Sequence, residues 1–251
     1  MLRNMFKTNI IIPCFNEESR ITTDEFLSFI NCNQNVDFCF VNDGSSDNTF
    51  EILNALALNN PNRFSVLNLK VNVGKAEAVR QGILFVADTS KYDFIGFFDA
   101  DLSTPLSEIN HFLSVAENNN ELMAIVGSRL KRLGANIQRS FKRHVLGRIF
   151  STIATLLTGI PIYDSQCGAK IFKKELINSV FEKPFKSKWV FDLEIFIRIR
   201  NKFGDATFKK ITLELPLYTW IEKGGSKFKL KHFIEIPFNL MIIYNHYNKN
   251  T

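Results

Sequence analysis

Short apolar runs alternate with amphipathic stretches through the first half of the chain. "TNIIIPCF" is a β-branched run that predicts a first strand, stopped by Pro13. "DEFLSFIN" has helical spacing, and "VDFCFVNDGSSDNT" reads as a second strand running into a turn-rich polar loop. In "NTFEILNALALNN" apolar positions fall three and four apart, with Asp47 placed as N-cap. "RFSVLNLK" predicts a third strand, "GKAEAVRQGILFVAD" a helix opening after Gly74, and "YDFIGFFDAD" a fourth strand. "SEINHFLSVAENN" and "MAIVGSRL" complete the series as a helix and a fifth strand. Strands alternating with helices of this length predict βαβ units in a mostly parallel, Rossmann-like sheet flanked by helices. Ligands of such sheets bind beyond the carboxyl ends of the strands. Three polar clusters, "PCFNEE", "NDGSSD" and "DADLSTP", belong at those ends.

The pattern changes in the second half. Residues 122–163 contain no Asp or Glu but carry Arg129, Lys131, Arg132, Arg139, Lys142, Arg143 and Arg148. Within that stretch Phe141, Val145, Leu146, Ile149, Phe150, Ile153, Leu156, Leu157 and Ile160 share one helical face, which makes a basic amphipathic segment. Lys142 falls inside that face, Arg143 and Arg148 outside it. No repeat or linker interrupts the chain. The reading is one domain over 1–227, with a first half to about 130 and a second over 131–227, followed by an apolar appendage over 228–251.

With 251 residues, 45% of them hydrophobic, the chain is long enough for a sizeable core. A net charge of +6 suits an anionic partner or simply solubility. Cys14, Cys32, Cys39 and Cys167 match no zinc or redox spacing and read as free thiols in a reducing compartment. The N-terminus lacks the layout of a signal peptide, and no run reaches the roughly 20 apolar residues that span a bilayer. The expectation is a cytoplasmic protein, soluble or lying on a membrane surface. The basic region lacks interleaved aromatics or a nucleic-acid motif, so no nucleic-acid partner is expected.

"FIGFFDADLSTP" ends an apolar strand on Asp99, Ala100 and Asp101. Two carboxylates at a strand end suit a hard divalent cation, which commonly takes one or two carboxylates plus substrate phosphates. Alternatively, Asp101 caps the following turn. Asp43, before Gly44, is placed to accept hydrogen bonds from a base or ribose, or else to form an Asx-turn. Gly74 and Lys75 open a helix, where an anion can bind.

"IIIPCFNEE", "VNDGSSDNT", "NVGKAEAVRQG", "FFDADLSTP", "GSRL", "DSQCGAKIF" and "WVFDLEI", in that order, resemble the family 2 glycosyltransferases. The likeness covers about residues 8–226 and leans to the branch of the dolichyl-phosphate glucosyltransferases and polyprenyl-phosphate glycosyltransferases. It implies a GT-A fold, a nucleotide-sugar donor, a divalent metal (Mg²⁺ or Mn²⁺) and inversion at the anomeric carbon. By resemblance, Pro13, Asn16 and Glu17 line the nucleotide pocket, Asp43 reads the base, and Asp99 and Asp101 are the DXD pair holding metal and diphosphate. Arg129 and the basic group Lys223 and Lys227 could add phosphate contacts, or be solvated charges. Asp192 lies where many relatives carry a base-like acid, or else orients the acceptor, and Asp164 anchors an acceptor loop or forms a turn.

The "DADLSTP" and "DSQCGAKIF" forms favour transfer of glucose from UDP-glucose to a polyprenyl phosphate on the cytoplasmic face of a membrane. The basic segment would rest on anionic lipid. Transfer from a UDP-sugar or GDP-mannose to a hydroxyl of a surface glycan is the alternative, and a non-catalytic nucleotide-sugar-binding protein is a third reading. Many relatives carry transmembrane helices, and their absence here leaves room for a membrane-protein partner.

Overall fold

The computed structural model describes residues 6–223 and 230–248. In chain order the elements are β1 (Thr8–Cys14), α1 (Thr23–Cys32), β2 (Val36–Asp43), α2 (Thr49–Asn59), β3 (Phe64–Leu69) and α3 (Lys75–Ala87). Then follow β4 (Phe94–Phe98), α4 (Ser107–Asn118), β5 (Ala124–Ser128), β6 (Asn136–Gln138), α5 (Phe141–Thr158) and β7 (Ala169–Lys173). The last are α6 (Lys174–Phe181), α7 (Phe191–Ile211), β8 (Thr212–Pro216), β9 (Thr219–Ile221) and α8 (Leu230–Asn248).

Seven strands form one sheet in the order β3-β2-β1-β4-β7-β5-β8, and β6 pairs with β9 apart from it. All neighbours in the main sheet are parallel except those of β7, which runs against both β4 and β5. Alternation along the strands serves two cores. Ile10 and Ile12 of β1, with Phe38 and Phe40 of β2, face α1, α2 and α4. Ile11, Cys39 and Val41 face α3, α6 and α7. Burial on both faces is why these strands read as nearly unbroken apolar runs.

Three local expectations change. Pro13 does not stop β1; it pairs opposite Val41 inside the strand, which continues to Cys14. The N-cap position of α2 is Asn48, one residue later than expected. Asp47 still serves the helix start, because its carboxylate accepts the Thr49 N–H at 3.1 Å. The short β6–β9 pair has no signal in the apolar pattern, being only three residues on each strand.

Within the stretch expected as a C-terminal appendage, Leu230–Asn248 form α8. Its Leu240 and Ile243 are buried in the second core, and Tyr247 donates its hydroxyl to Glu194 at 2.7 Å.

The antiparallel strand matters most for the site. Phe98 at the end of β4 lies opposite Ala169 at the start of β7. The segment entering β7 therefore arrives at the carboxyl edge of the sheet, beside the residues that leave β4.

Candidate active site

A cavity of about 550 Å³ opens at that edge. Its lining draws on the ends of β1 (Pro13, Glu17), β2 (Asp43), β4 (Asp99, Ala100, Asp101) and β5 (Arg129), and on the start of α3 (Gly74, Lys75). The three polar clusters, far apart in sequence, are thus brought together by strand order.

Asp43 is buried where β2 ends. Its Oδ1 accepts the Val73 N–H at 2.7 Å, and its Oδ2 accepts the Gly74 N–H at 3.0 Å and the Asn72 amide at 3.1 Å. Burial pushes this carboxyl above its ordinary value despite those donors. Gly44 beside it has φ +64, and a Cβ there would lie 2.5 Å from the Asn72 nitrogen. Asp43 and Gly44 together hold the loop before α3 against the end of β2.

Asn16 is drawn into the neighbouring turn. Its Oδ1 accepts the Ser46 N–H at 2.9 Å, and it does not line the cavity. Glu17 does line it and is held by Arg20 at 2.6 Å.

Asp99 and Asp101 leave β4 over the "DSQCG" segment. A Cβ on Gly168 would fall 1.9 Å from the Asp99 Oδ2, so only glycine lets the carboxylate lie there. Lys75 Nζ is hydrogen-bonded to Asp99 Oδ1. Withdrawal from bulk water inside the cavity opposes the charge on Lys75, whose side chain is nonetheless part-exposed, but Asp99, Asp192 and Asp101 hold its pKa above the ordinary lysine value. Asp101 Oδ1 accepts the Ser103 N–H at 2.9 Å, the turn-capping bond of its alternative reading.

Among the described residues no group of three or more His, Cys, Asp or Glu could hold a metal. Two carboxylates at the cavity floor instead fit a Mg²⁺ or Mn²⁺ ion that shares its shell with phosphate oxygens.

Arg129 lies behind this pair and is clamped by Asp164, with Nε and Nη2 at 2.6 and 2.7 Å from the two carboxylate oxygens. Burial disfavours the Asp164 charge, yet Arg129 outweighs it and holds the carboxyl well below the usual range. Asp164 does not line the cavity; it orients Arg129, which does. Glu214 fixes Asp164 in turn, accepting the N–H groups of Tyr163 and Asp164 at 2.8 and 2.6 Å.

Asp192 begins α7 and is buried. It pairs at 2.6 Å with Lys170, whose side chain is fully enclosed, and it does not line the cavity. Lys223 reaches the lining, while Lys227 lies outside the described residues.

The sequence pattern gives several lining residues no role. Lys188 and Trp189 precede α7, and Trp220 and Glu222 follow β8. Arg143 had been assigned to the solvent or lipid side of the amphipathic segment. It lines the cavity instead and pairs with Glu222 at 2.6 Å. Arg148 is likewise engaged, donating to the Tyr163 carbonyl at 2.8 Å. Arg139 is half-buried beside Arg129; burial and that neighbour push its pKa down to about 10.

The apolar face of α5 splits. Phe150 is buried, as is Ile160 just beyond the helix end, while Phe141, Ile149, Ile153 and Leu156 are exposed.

The model of glycosyl transferase family 2 matches residues 9–181. A dolichyl-phosphate beta-glucosyltransferase of Trichomonas vaginalis is 31% identical over 249 residues, covering 94% of this chain and 70% of that protein. One from Dictyostelium discoideum is 30% identical, covering 87% and 68%. Among solved structures, glucosyl-3-phosphoglycerate synthase from Mycobacterium tuberculosis in complex with phosphoglyceric acid superposes with a TM-score of 0.68 at 16% identity, covering 97% of this chain and 81% of that one. The same enzyme in complex with Mn²⁺, uridine diphosphate and glucosyl-3-phosphoglycerate superposes at 0.65. The fold is therefore the expected GT-A arrangement.

Proposed function

We propose that this chain, which belongs to glycosyl transferase family 2, transfers glucose from UDP-glucose to a polyprenyl or dolichyl phosphate, with inversion, at the cytoplasmic face of a membrane. The family makes it a hexosyltransferase. The named activity of its relatives supports the lipid phosphate, and the UDP complex of the structural neighbour supports the donor.

The observation that carries the choice of acceptor is the state of the acids around the cavity. Glu17 is held by Arg20, Glu222 by Arg143, and Asp43 by backbone N–H groups. Asp192 is withdrawn into a buried pair with Lys170. Among the described residues that leaves Asp99 and Asp101, which face the diphosphate in this reading. A sugar hydroxyl needs a base to take its proton as the bond forms. A phosphate monoester, with a second pKa of about 6, is already ionised near neutral pH and needs none.

In this mechanism Asp99 and Asp101 would hold the divalent ion, which when bound supplies Lewis-acid stabilisation of the leaving diphosphate. Asp43 keeps the loop at Asn72–Gly74 in place, so that the start of α3 faces the donor phosphates. Arg129 is neutralised by Asp164 and held rigid. Arg139 near Arg129, and Arg143 where an acceptor phosphate competes with Glu222 for it, would supply the positive charge that answers that phosphate. Arg143 also ties the site to α5, whose exposed apolar face suits insertion at a lipid surface. No helix among the described residues is long and apolar enough to cross a membrane.

The test is incubation of the purified protein with labelled UDP-glucose or GDP-mannose and a short polyprenyl phosphate. Label is expected in the lipid product from UDP-glucose and to depend on a divalent cation. Label from GDP-mannose alone, or none from either donor, would refute the reading.

A further inference from the structure

The contact between Lys75 and Asp99 joins two groups with competing claims. Asp99 is one of the two carboxylates that, among the described residues, this reading gives to a divalent ion, and Lys75 Nζ is bonded to it. Lys75 is the first residue of α3, directly after Gly74 at φ +91. Its main chain is anchored, because the Gly74 N–H is held by Asp43. Its side chain is not enclosed: 41% of it is exposed, as is 37% of that of Asp99, both on the cavity side. It is therefore free to turn toward the space in front of the helix start. The Asp99 carboxylate is fixed from below, since Gly168 backs it with no room for a Cβ.

We infer that Lys75 is an exchangeable counter-ion, which holds Asp99 until a nucleoside diphosphate draws the ammonium away and so makes metal binding conditional on the donor. This rests on the reading of Asp99 and Asp101 as the cation pair. A divalent ion arriving alone must displace a bonded ammonium and share a small site with it. A diphosphate arriving with the ion gives the ammonium a second anionic partner at the start of α3, and Asp99 is released to the metal. No covalent bond changes and no proton is transferred. Because the two ligands help each other through one movable group, the coupling is reciprocal: whatever factor the diphosphate adds to metal affinity, the metal adds to diphosphate affinity.

The probes are Mn²⁺ and UDP, and the readout is binding. Free Mn²⁺ is counted by electron paramagnetic resonance, and quenching of Trp189 and Trp220, which line the cavity, gives a second signal. The full-length protein is compared with Lys75→Met, Lys75→Arg, Lys188→Met and Asp99→Asn. Wild type should bind Mn²⁺ weakly alone and at least about tenfold more tightly with UDP, within the usual range of coupling between sites. Lys75→Met should bind Mn²⁺ alone more tightly than wild type by a similar factor, and UDP should then add less than it adds to wild type, the remainder coming from phosphate oxygens in the ion's own shell. Lys75→Arg, which keeps the positive charge at that position, should retain most of the coupling. Lys188→Met removes the same charge from the same cavity without touching Asp99, and should leave most of the coupling in place.

The inference is overturned if Lys75→Met binds Mn²⁺ alone no better than wild type, or if Lys188→Met tightens it equally, which would make the effect one of general charge. Asp99→Asn separates the two levels of the account. If it abolishes Mn²⁺ binding while Lys75→Met behaves as wild type, only the counter-ion role falls. If Mn²⁺ binds Asp99→Asn undiminished, the cation pair falls and the inference with it.

Discussion

Asp99 is positioned by a residue that has no side chain. A methyl on Gly168 would have to displace the Asp99 carboxyl group, to which the three atoms nearest it all belong. Gly168→Ala is therefore expected to lower turnover severalfold or more while leaving the melting temperature close to wild type, as thermal unfolding beside the kinetics would show. Asp99→Asn and Asp101→Asn should each cost about a hundredfold or more, the loss expected when several kcal/mol of charge stabilisation disappear. Near-normal rates in saturating Mg²⁺ would contradict both assignments. Asp43→Ala should weaken UDP binding in a calorimetric titration. Because Asp43 holds two main-chain N–H groups, it should also cost about 1–3 kcal/mol of stability, a penalty that a role confined to reading the base would not predict. Asp164 makes a pH prediction. Its folded pKa is depressed, so its contribution to stability is present above the unfolded value of about 3.9 and is lost as pH falls below it. Asp164→Asn should flatten the acid limb of the melting-temperature profile below about pH 4. An unchanged limb would show that the Arg129 pair contributes nothing there.

At the scale of the element, α5 is where sequence and structure differ most usefully. The helix itself was legible, because its apolar positions keep a helical period over 141–160. Which of its cations face outward was not legible, since the period separates an apolar face from a polar one and does not say what covers each. Arg143 turns into the cavity to meet Glu222, 79 residues further along the chain, and Arg148 packs on Tyr163. Replacing these arginines would thus disturb the site as well as any membrane contact. The cleaner test alters the exposed apolar residues Phe141, Ile149 and Leu156. Changing them to Ser should reduce sedimentation with anionic vesicles at low salt and leave the melting temperature within about a degree or two, since exposed substitutions rarely change stability by more than about 0.5 kcal/mol. Equal sedimentation of variant and wild type would show that this face is not the membrane contact.

For the molecule as a whole, the parallel half could be read because each βα unit announces itself by period and by a polar cluster at the strand end. The strand order that brings Asp43, Asp99 and Glu17 to one cavity follows from the general rule for such sheets. The antiparallel β7 and the β6–β9 pair could not be read. They are short, and their partners lie far away in sequence, so no local pattern records them. With them went the clamp of Arg129 by Asp164, the burial of Asp192 against Lys170, and the lining by Trp189 and Trp220. Burial of Asp192 bears on function more than the others, because on the proposed reading it withdraws the acid that sequence position offers as a base or acceptor-orienting group. The central claim is accordingly that the acceptor arrives ionised. The most direct measurement offers the enzyme a short polyprenyl phosphate and the corresponding polyprenol with labelled UDP-glucose, and determines the anomeric configuration of the product by NMR. The account predicts a β-linked glucosyl phosphate from the first and no detectable product from the second. Transfer to the alcohol at a comparable rate, or an α-linked product, would contradict it.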